Sequence, residues 1–162
     1  HPFIQDKAAR LILQAQNLGI MLRVTSGYRS MEQQAALYAQ GRTMPGNIVT
    51  GAKPGESFHN YGLAFDVVEI KNGAALWNNS RWKQIGEIGK SFGLYWGGDW
   101  SRPDKPHFQS HSGSAQAAAL KLNLAPADAG KSQGTAATGK PSAVAIGLSI
   151  VGIGVAIGLM LK

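Results

Sequence analysis

The chain has 162 residues, a formal net charge of +7, no cysteine, and 44% apolar residues. Without cysteine there is neither a disulfide framework nor a thiolate metal site, so histidine and carboxylates are the strong ligands left. The cations stand singly, with no Lys/Arg run or Arg-rich helix. Nucleic-acid binding is therefore not indicated, and the charge favours membrane surfaces or acidic cell-wall polymers.

In chain order, Pro2 to Asn17 carries apolar residues at helical spacing (Phe3, Ile4, Ala8, Leu11, Ile12, Ala15) and stops at Gly19. Met21 to Thr25 is a short β-like run. Ser30 with Gln33 has the form of an N-cap and capping-box partner for a helix to about Gln40, closed by Gly41. Residues 43–57 are rich in Gly and Pro and read as a loop. Leu63 to Ile70 alternates like a strand, and Ser80 to Phe92 is an amphipathic helix capped by Ser80 and ended at Gly93. Pro103 and Pro106 exclude a helix there, which puts His107 in a loop or on a strand edge. The alternation predicts an α+β fold with a small mixed or antiparallel sheet and flanking helices.

Composition shifts after Gln109. Residues 1–110 hold all four tryptophans and form the expected folded domain. Residues 111–141, mostly Ala, Ser, Gly and Lys, read as a short helix and flexible linker. From Ser142 to Leu161 the chain is uncharged and apolar, bracketed by Lys140 and Lys162. That length predicts a transmembrane helix, with Gly154 and Gly158 as a small-residue pair, and hence membrane contact. The chain opens at His1 rather than methionine, consistent with a removed leader.

Two segments carry chemistry. Ser57–Asp66 places His59 at the end of the Gly/Pro loop and Asp66 in the following strand, where a carboxylate needs a cation or several donors. Asp104–Gln109 adds His107. Taken singly, each is more often a satisfied structural residue. Together, two His and one Asp leave a fourth zinc position open, and a nearby carboxylate such as Asp104 would serve as proton acceptor, with Glu56 or Asp99 as alternatives. His1 and His111 read as exposed. Trp96 and Trp100 wall a cleft or fill the core, Gln33 and Tyr61 are candidate cleft residues, and Ser57 either contacts substrate, orients His59 or caps the loop.

Ser57–Asp66 fits SxHxxGxAxD in full and Asp104–His107 fits (D/E)xxH. Thr25–Ser30, Leu37–Thr43, Asn47–Thr50 and Trp96–Trp100 add further collinear matches. In these segments, about residues 2–109, the chain resembles the zinc D-alanyl-D-alanine carboxypeptidase and L-alanyl-D-glutamate endopeptidase family, which includes phage endolysins. The resemblance implies Zn2+ held by His59, Asp66 and His107, with Asp104 as general base. It further implies Arg29 as the group stabilising the tetrahedral oxyanion, and Ser57, Gln33, Tyr61 and Trp96 as candidate substrate contacts. It implies hydrolysis of peptidoglycan stem peptides, most similar to the L-alanyl-D-glutamate endopeptidases, with D-alanyl-D-alanine carboxypeptidase or a non-catalytic zinc-containing wall-binding module as alternatives. The periplasm or cell wall is the expected location, with a phage-encoded origin open.

Overall fold

The computed structural model describes residues 1–124. The expected membrane span at 142–161 and most of the expected linker lie outside those residues. Among the described residues, no helix is long and apolar enough to cross a membrane.

Helix α1 (Pro2–Asn17) buries Ile4, Leu11 and Ala15 of the stripe that its spacing predicts, leaves Ala8 and Ile12 partly buried and Phe3 exposed, and the His1 side chain accepts from the Phe3 N–H at its start. Strand β1 (Leu22–Ser26) follows. Helix α2 (Met31–Ala39) begins with the full capping box: the Ser30 hydroxyl accepts from Gln33 N–H, and Gln33 Oε1 accepts from Ser30 N–H. After the Gly/Pro loop, a single 3-10 turn (Phe58–Tyr61) leads into the long strand β2 (Ala64–Lys71). A short strand β3 (Ala74–Leu76) pairs back on β2 and is not among the expected elements. Its turn residues Asn72 and Gly73 both have positive φ, 52° and 77°, the backbone that an Asn-Gly hairpin turn requires.

Helix α3 (Trp82–Ser91) starts later than expected, and Ser80 is not its cap. Arg81 stands at the N-cap position and no side chain caps the helix; just ahead of it the Asn79 carboxamide oxygen accepts from Arg81 N–H and sets the turn that leads in. Strands β4 (Tyr95–Trp96) and β5 (His107–Gln109) and helix α4 (Ala115–Lys121) complete the described chain.

The architecture is α+β. The sheet order is β1-β2-β5-β4, with β3 also on β2, and every strand pairing is antiparallel. His107 therefore lies on an interior strand, not in a loop or at an edge. Pro106 is no obstacle, because it contributes only its carbonyl, which accepts from Val67 N–H at 3.0 Å. One sheet face packs on α1 and α3 through Phe65, Val67 and Phe108, with Leu11, Ile85, Leu94 and Trp96 in the same core. On α3, a Cβ at Gly86 would meet the Trp96 ring and one at Gly89 the Phe108 ring, so glycine there lets the helix lie directly against the sheet. On the other side, α4 packs Ala115 and Ala118 against Phe58, Leu63 and Ala64.

Candidate metal centre and active site

Strand periodicity and register build most of the site. Asp66 pairs with His107 across β2 and β5, while Phe65 pairs with Phe108. Because side chains alternate faces, Phe65 and Phe108 stack in the core and Asp66 and His107 point together to the opposite face. The 3-10 turn brings in His59. Ser57 caps this turn by accepting from His59 N–H, and Gly62 ends it with φ 63°, returning the chain into β2.

The three side chains converge on one point. His107 Nδ1 is 3.0 Å from Asp66 Oδ1, His59 Nε2 is 3.4 Å from the same oxygen, and the two ring nitrogens are 3.3 Å apart. Four ligands at the usual zinc distances form a tetrahedron with edges of about 3.3 Å, so this triangle has the dimensions of one face of such a site. The remote ring nitrogens fix which atoms bear lone pairs. His59 Nδ1–H donates to the Gly27 carbonyl at 2.6 Å, and His107 Nε2–H donates to Gln109 Oε1 at 3.1 Å. Both rings thus present an unprotonated nitrogen to the shared point. Three lone-pair atoms that close require a cation between them, and this donor set fits zinc. Burial alone would raise the Asp66 pKa, but in the absence of metal the hydrogen bonds and positive charge that protonated His107 and His59 rings would supply outweigh it and hold the carboxyl far below the ordinary carboxylate value.

These residues line a cleft of about 350 Å³ that also takes in Arg29, Ser57, Asp104, Gln109 and Trp100. Asp104 is set by the loop between β4 and β5: its N–H donates to Gly97 O at 2.9 Å and its carbonyl accepts from His107 N–H. The residue is exposed, yet its carboxyl is partly desolvated against the cleft. That effect, with the nearby Asp66 charge, raises its pKa above the usual value despite the opposing imidazoles and Arg29.

Arg29 is clamped from below, where Nη1 donates to Gln34 Oε1 at 2.9 Å and Nη2 to Ser26 Oγ at 3.3 Å. Gln34 is wholly buried and donates to Ala52 O at 2.7 Å, linking the arginine to the loop wall. Asn60, also buried, donates to the carbonyls of Arg29 and Ser30 and accepts from Gly55 N–H. It ties the arginine segment to the turn that carries His59.

The other expected contacts are distributed differently. Gln33 closes the capping box and faces a neighbouring depression that meets the cleft at Arg29. The Tyr61 hydroxyl donates to Gly55 O. Trp96 is buried in the core, with its indole N–H on Lys105 O, whereas Trp100 lies along the cleft with its ring centroid 5.1 Å from that of His107. Of the alternative bases, Glu56 lines the cleft and accepts from Lys53 N–H, and Asp99 is paired with Lys90. His1 is exposed, as expected; His111 is half-buried, with Nδ1 2.7 Å from Ser110 Oγ, so its reading as exposed is corrected. Sequence reasoning overlooked Gln34, Asn60 and Gln109 as functional supports. Gln109 had a signal, standing two residues after a ligand on the same strand and hence on the same face.

Residues 50–110 match the family described as D-alanyl-D-alanine carboxypeptidase. The chain is 44% identical over 120 residues to the peptidoglycan L-alanyl-D-glutamate endopeptidase CwlK of Bacillus subtilis (strain 168), covering 67% of this chain and 72% of that protein. It is 34% identical over 108 residues to the L-alanyl-D-glutamate peptidase of Listeria phage A118, covering 63% of this chain and 35% of the phage protein. The fold is also that of an L,D-carboxypeptidase, DacB, from Streptococcus pneumonia, with a TM-score of 0.52 and 23% identity over 76% of this chain and 71% of that one. With the His-Asp-His centre in place and a relative this similar over most of its length, the chain belongs to the zinc D-alanyl-D-alanine carboxypeptidase and L-alanyl-D-glutamate endopeptidase family.

Proposed function

We infer that the protein hydrolyses the amide bond between L-alanine and D-glutamate in the stem peptide of peptidoglycan. The observation that carries this is the 44% identity to an L-alanyl-D-glutamate endopeptidase over the stretch that builds the His59, Asp66 and His107 centre. It is a zinc metallopeptidase, and its substrate puts its work at the cell wall.

His59 Nε2, Asp66 Oδ1 and His107 Nδ1 are the atoms that would hold zinc. When bound, the metal supplies Lewis-acid activation of water and of the scissile carbonyl. The chain's own residues supply the rest. Asp104, at the cleft wall with its pKa raised, accepts the proton of the attacking water and delivers it to the departing nitrogen of D-glutamate. As the tetrahedral oxyanion forms on the L-alanine carbonyl carbon, the Arg29 guanidinium stabilises it. Its anchoring to Gln34 and Ser26 means that little reorganisation is needed at that moment. The C–N bond then breaks, leaving a carboxylate on L-alanine and a free amine on D-glutamate.

Purified peptidoglycan incubated with the protein, with and without a zinc chelator, tests this by mass spectrometry. The expected products are stem peptides with a new amino-terminal D-glutamate, abolished by the chelator and restored by added zinc. Release of single D-alanine residues instead would identify a D-alanyl-D-alanine carboxypeptidase.

A further inference from the structure

Beside the catalytic cleft lies a second concavity of about 400 Å³, which shares the Trp100 ring with it. Tyr95 and Trp100 form its exposed aromatic surface, with the buried Trp96 beneath, and Lys90 and Asp99 stand at its rim. The hydrolysis described above uses none of Tyr95, Lys90 or Asp99. The Tyr95 and Trp100 side chains are 48% and 42% exposed, large aromatic surfaces to leave in water. Lys90 Nζ lies 2.9 Å from Asp99 Oδ2 and 6.0 Å over the Trp96 ring, so donor and acceptor groups edge an aromatic shelf. This combination suits a ring with an apolar C–H face and hydroxyl groups around its edge, as a pyranose has.

The chemistry of the proposed substrate says which end would reach the shelf. In peptidoglycan the nitrogen of L-alanine is acylated by the lactyl group of an N-acetylated amino sugar, so a sugar ring lies only a few bonds from the scissile amide. On the other side of that amide, D-glutamate carries a free carboxylate. Among the residues lining the cleft, Arg29 is the one guanidinium or ammonium, and it also lines the depression beside Gln33, which shares no lining residue with the shelf. The D-glutamate carboxylate is only a few bonds from the scissile carbonyl, so the guanidinium that stabilises the oxyanion also draws the D-glutamate side of the amide toward itself, which leaves the far end of L-alanine, with its sugar, on the Trp100 side.

Resting on the endopeptidase reading, we propose that the Tyr95–Trp100 shelf is a subsite for the N-acetylated amino sugar that carries the stem peptide. Its role is to convert binding of this non-reacting group into positioning of the adjacent amide. The test compares kcat/KM of the zinc-loaded full chain on an N-acetylmuramoyl tripeptide and on the same tripeptide N-acetylated without the sugar. The wild type should favour the muramoyl compound, with a gain in kcat as well as in KM. Tyr95→Ala should shrink that preference about three- to tenfold, the range expected for one aromatic stacking partner, and Tyr95→Phe should keep it. Equal efficiency of the wild type on both compounds, or an equal loss on both in Tyr95→Ala, would overturn the subsite alone. Failure to cleave either compound would overturn the peptidase reading and this one with it.

Discussion

His107 donates its Nε2–H to Oε1 of Gln109, two residues along the same strand, and so keeps its Nδ1 unprotonated toward Asp66. This is a hydrogen bond made by a ligand away from the metal, and such partners typically govern affinity by about 10- to 100-fold. Gln109→Leu should therefore weaken zinc binding by roughly that factor in a chelator competition while thermal unfolding shows a folded protein. Gln109→Glu keeps an acceptor at the same place and should retain most of the affinity. Unchanged affinity in Gln109→Leu would show that the ring is fixed by packing alone.

Each ligand should be indispensable, because a catalytic zinc site already has only three protein ligands. His59→Ala, Asp66→Ala and His107→Ala should all emerge without stoichiometric zinc by elemental analysis. Full occupancy in His107→Ala would remove that residue from the ligand set.

Asp104 is predicted to act on the rate and not on the metal. Asp104→Ala should bind zinc normally and lose about two to four orders of magnitude in kcat, the usual share of general acid–base catalysis. The direction of its pKa shift also sets the pH profile. A raised folded-state value means that the carboxylate form appears only above the ordinary range, so activity should fall as pH drops through that raised value. The acid limb of kcat/KM should disappear in the variant, and its persistence would assign the base to another group, with Glu56 nearest to hand in the cleft.

Much of this site was legible in the sequence, for identifiable reasons. Local signals worked where they are local: the spacing of Ile4, Leu11 and Ala15 and the capping box of Ser30 and Gln33 depend on neighbours within one or two turns. The ligands were legible because His59 and Asp66 sit in one short pattern and His107 in a second. Position within the sheet was not. That His107 occupies an interior strand follows from β5 inserting between β2 and β4, a long-range pairing that a three-residue strand after a proline does not advertise. The division of labour between Trp96 and Trp100 was hidden for the same reason, since only the packing of Trp96 against Gly86 and Gly98 sends it inward. The supports Gln34 and Asn60 read as ordinary polar residues until their carboxamides are seen to join separate segments.

Asp66 makes the metal-free protein sensitive to acid. Its folded-state pKa is depressed, so it contributes stability that is fully present above the unfolded value near 3.8 and is lost as pH falls toward the folded value. Denaturant unfolding of the metal-free protein should show stability declining below about pH 4. That decline should be shallower in Asp66→Asn, which has no carboxylate to protonate. Parallel declines in the two proteins would place the acid sensitivity elsewhere.

The far end of the same strand holds the last prediction. Glu69 is 1% exposed, forms an ion pair with Arg81, and accepts from Asn79 Nδ2 at 2.6 Å. Arg81 also donates to Gly19 O at 3.3 Å, so this cluster fastens β2 to the start of α3 and to the turn after α1. A buried charge that loses its partner keeps its desolvation cost without the compensating attraction. Such losses typically destabilise by about 3–5 kcal/mol; because Arg81 is partly exposed, the lower part of that range applies. Arg81→Met should therefore unfold at clearly lower denaturant than wild type, while Glu69→Gln with Arg81→Met should recover part of the loss by removing the stranded charge. Zinc affinity should be little altered in the double variant, since Asp66 is three residues away and its partners are untouched. If the double variant were less stable than Arg81→Met, the carboxamide would be costing more than the unpaired carboxylate, and the ion pair would not be what holds β2 to α3.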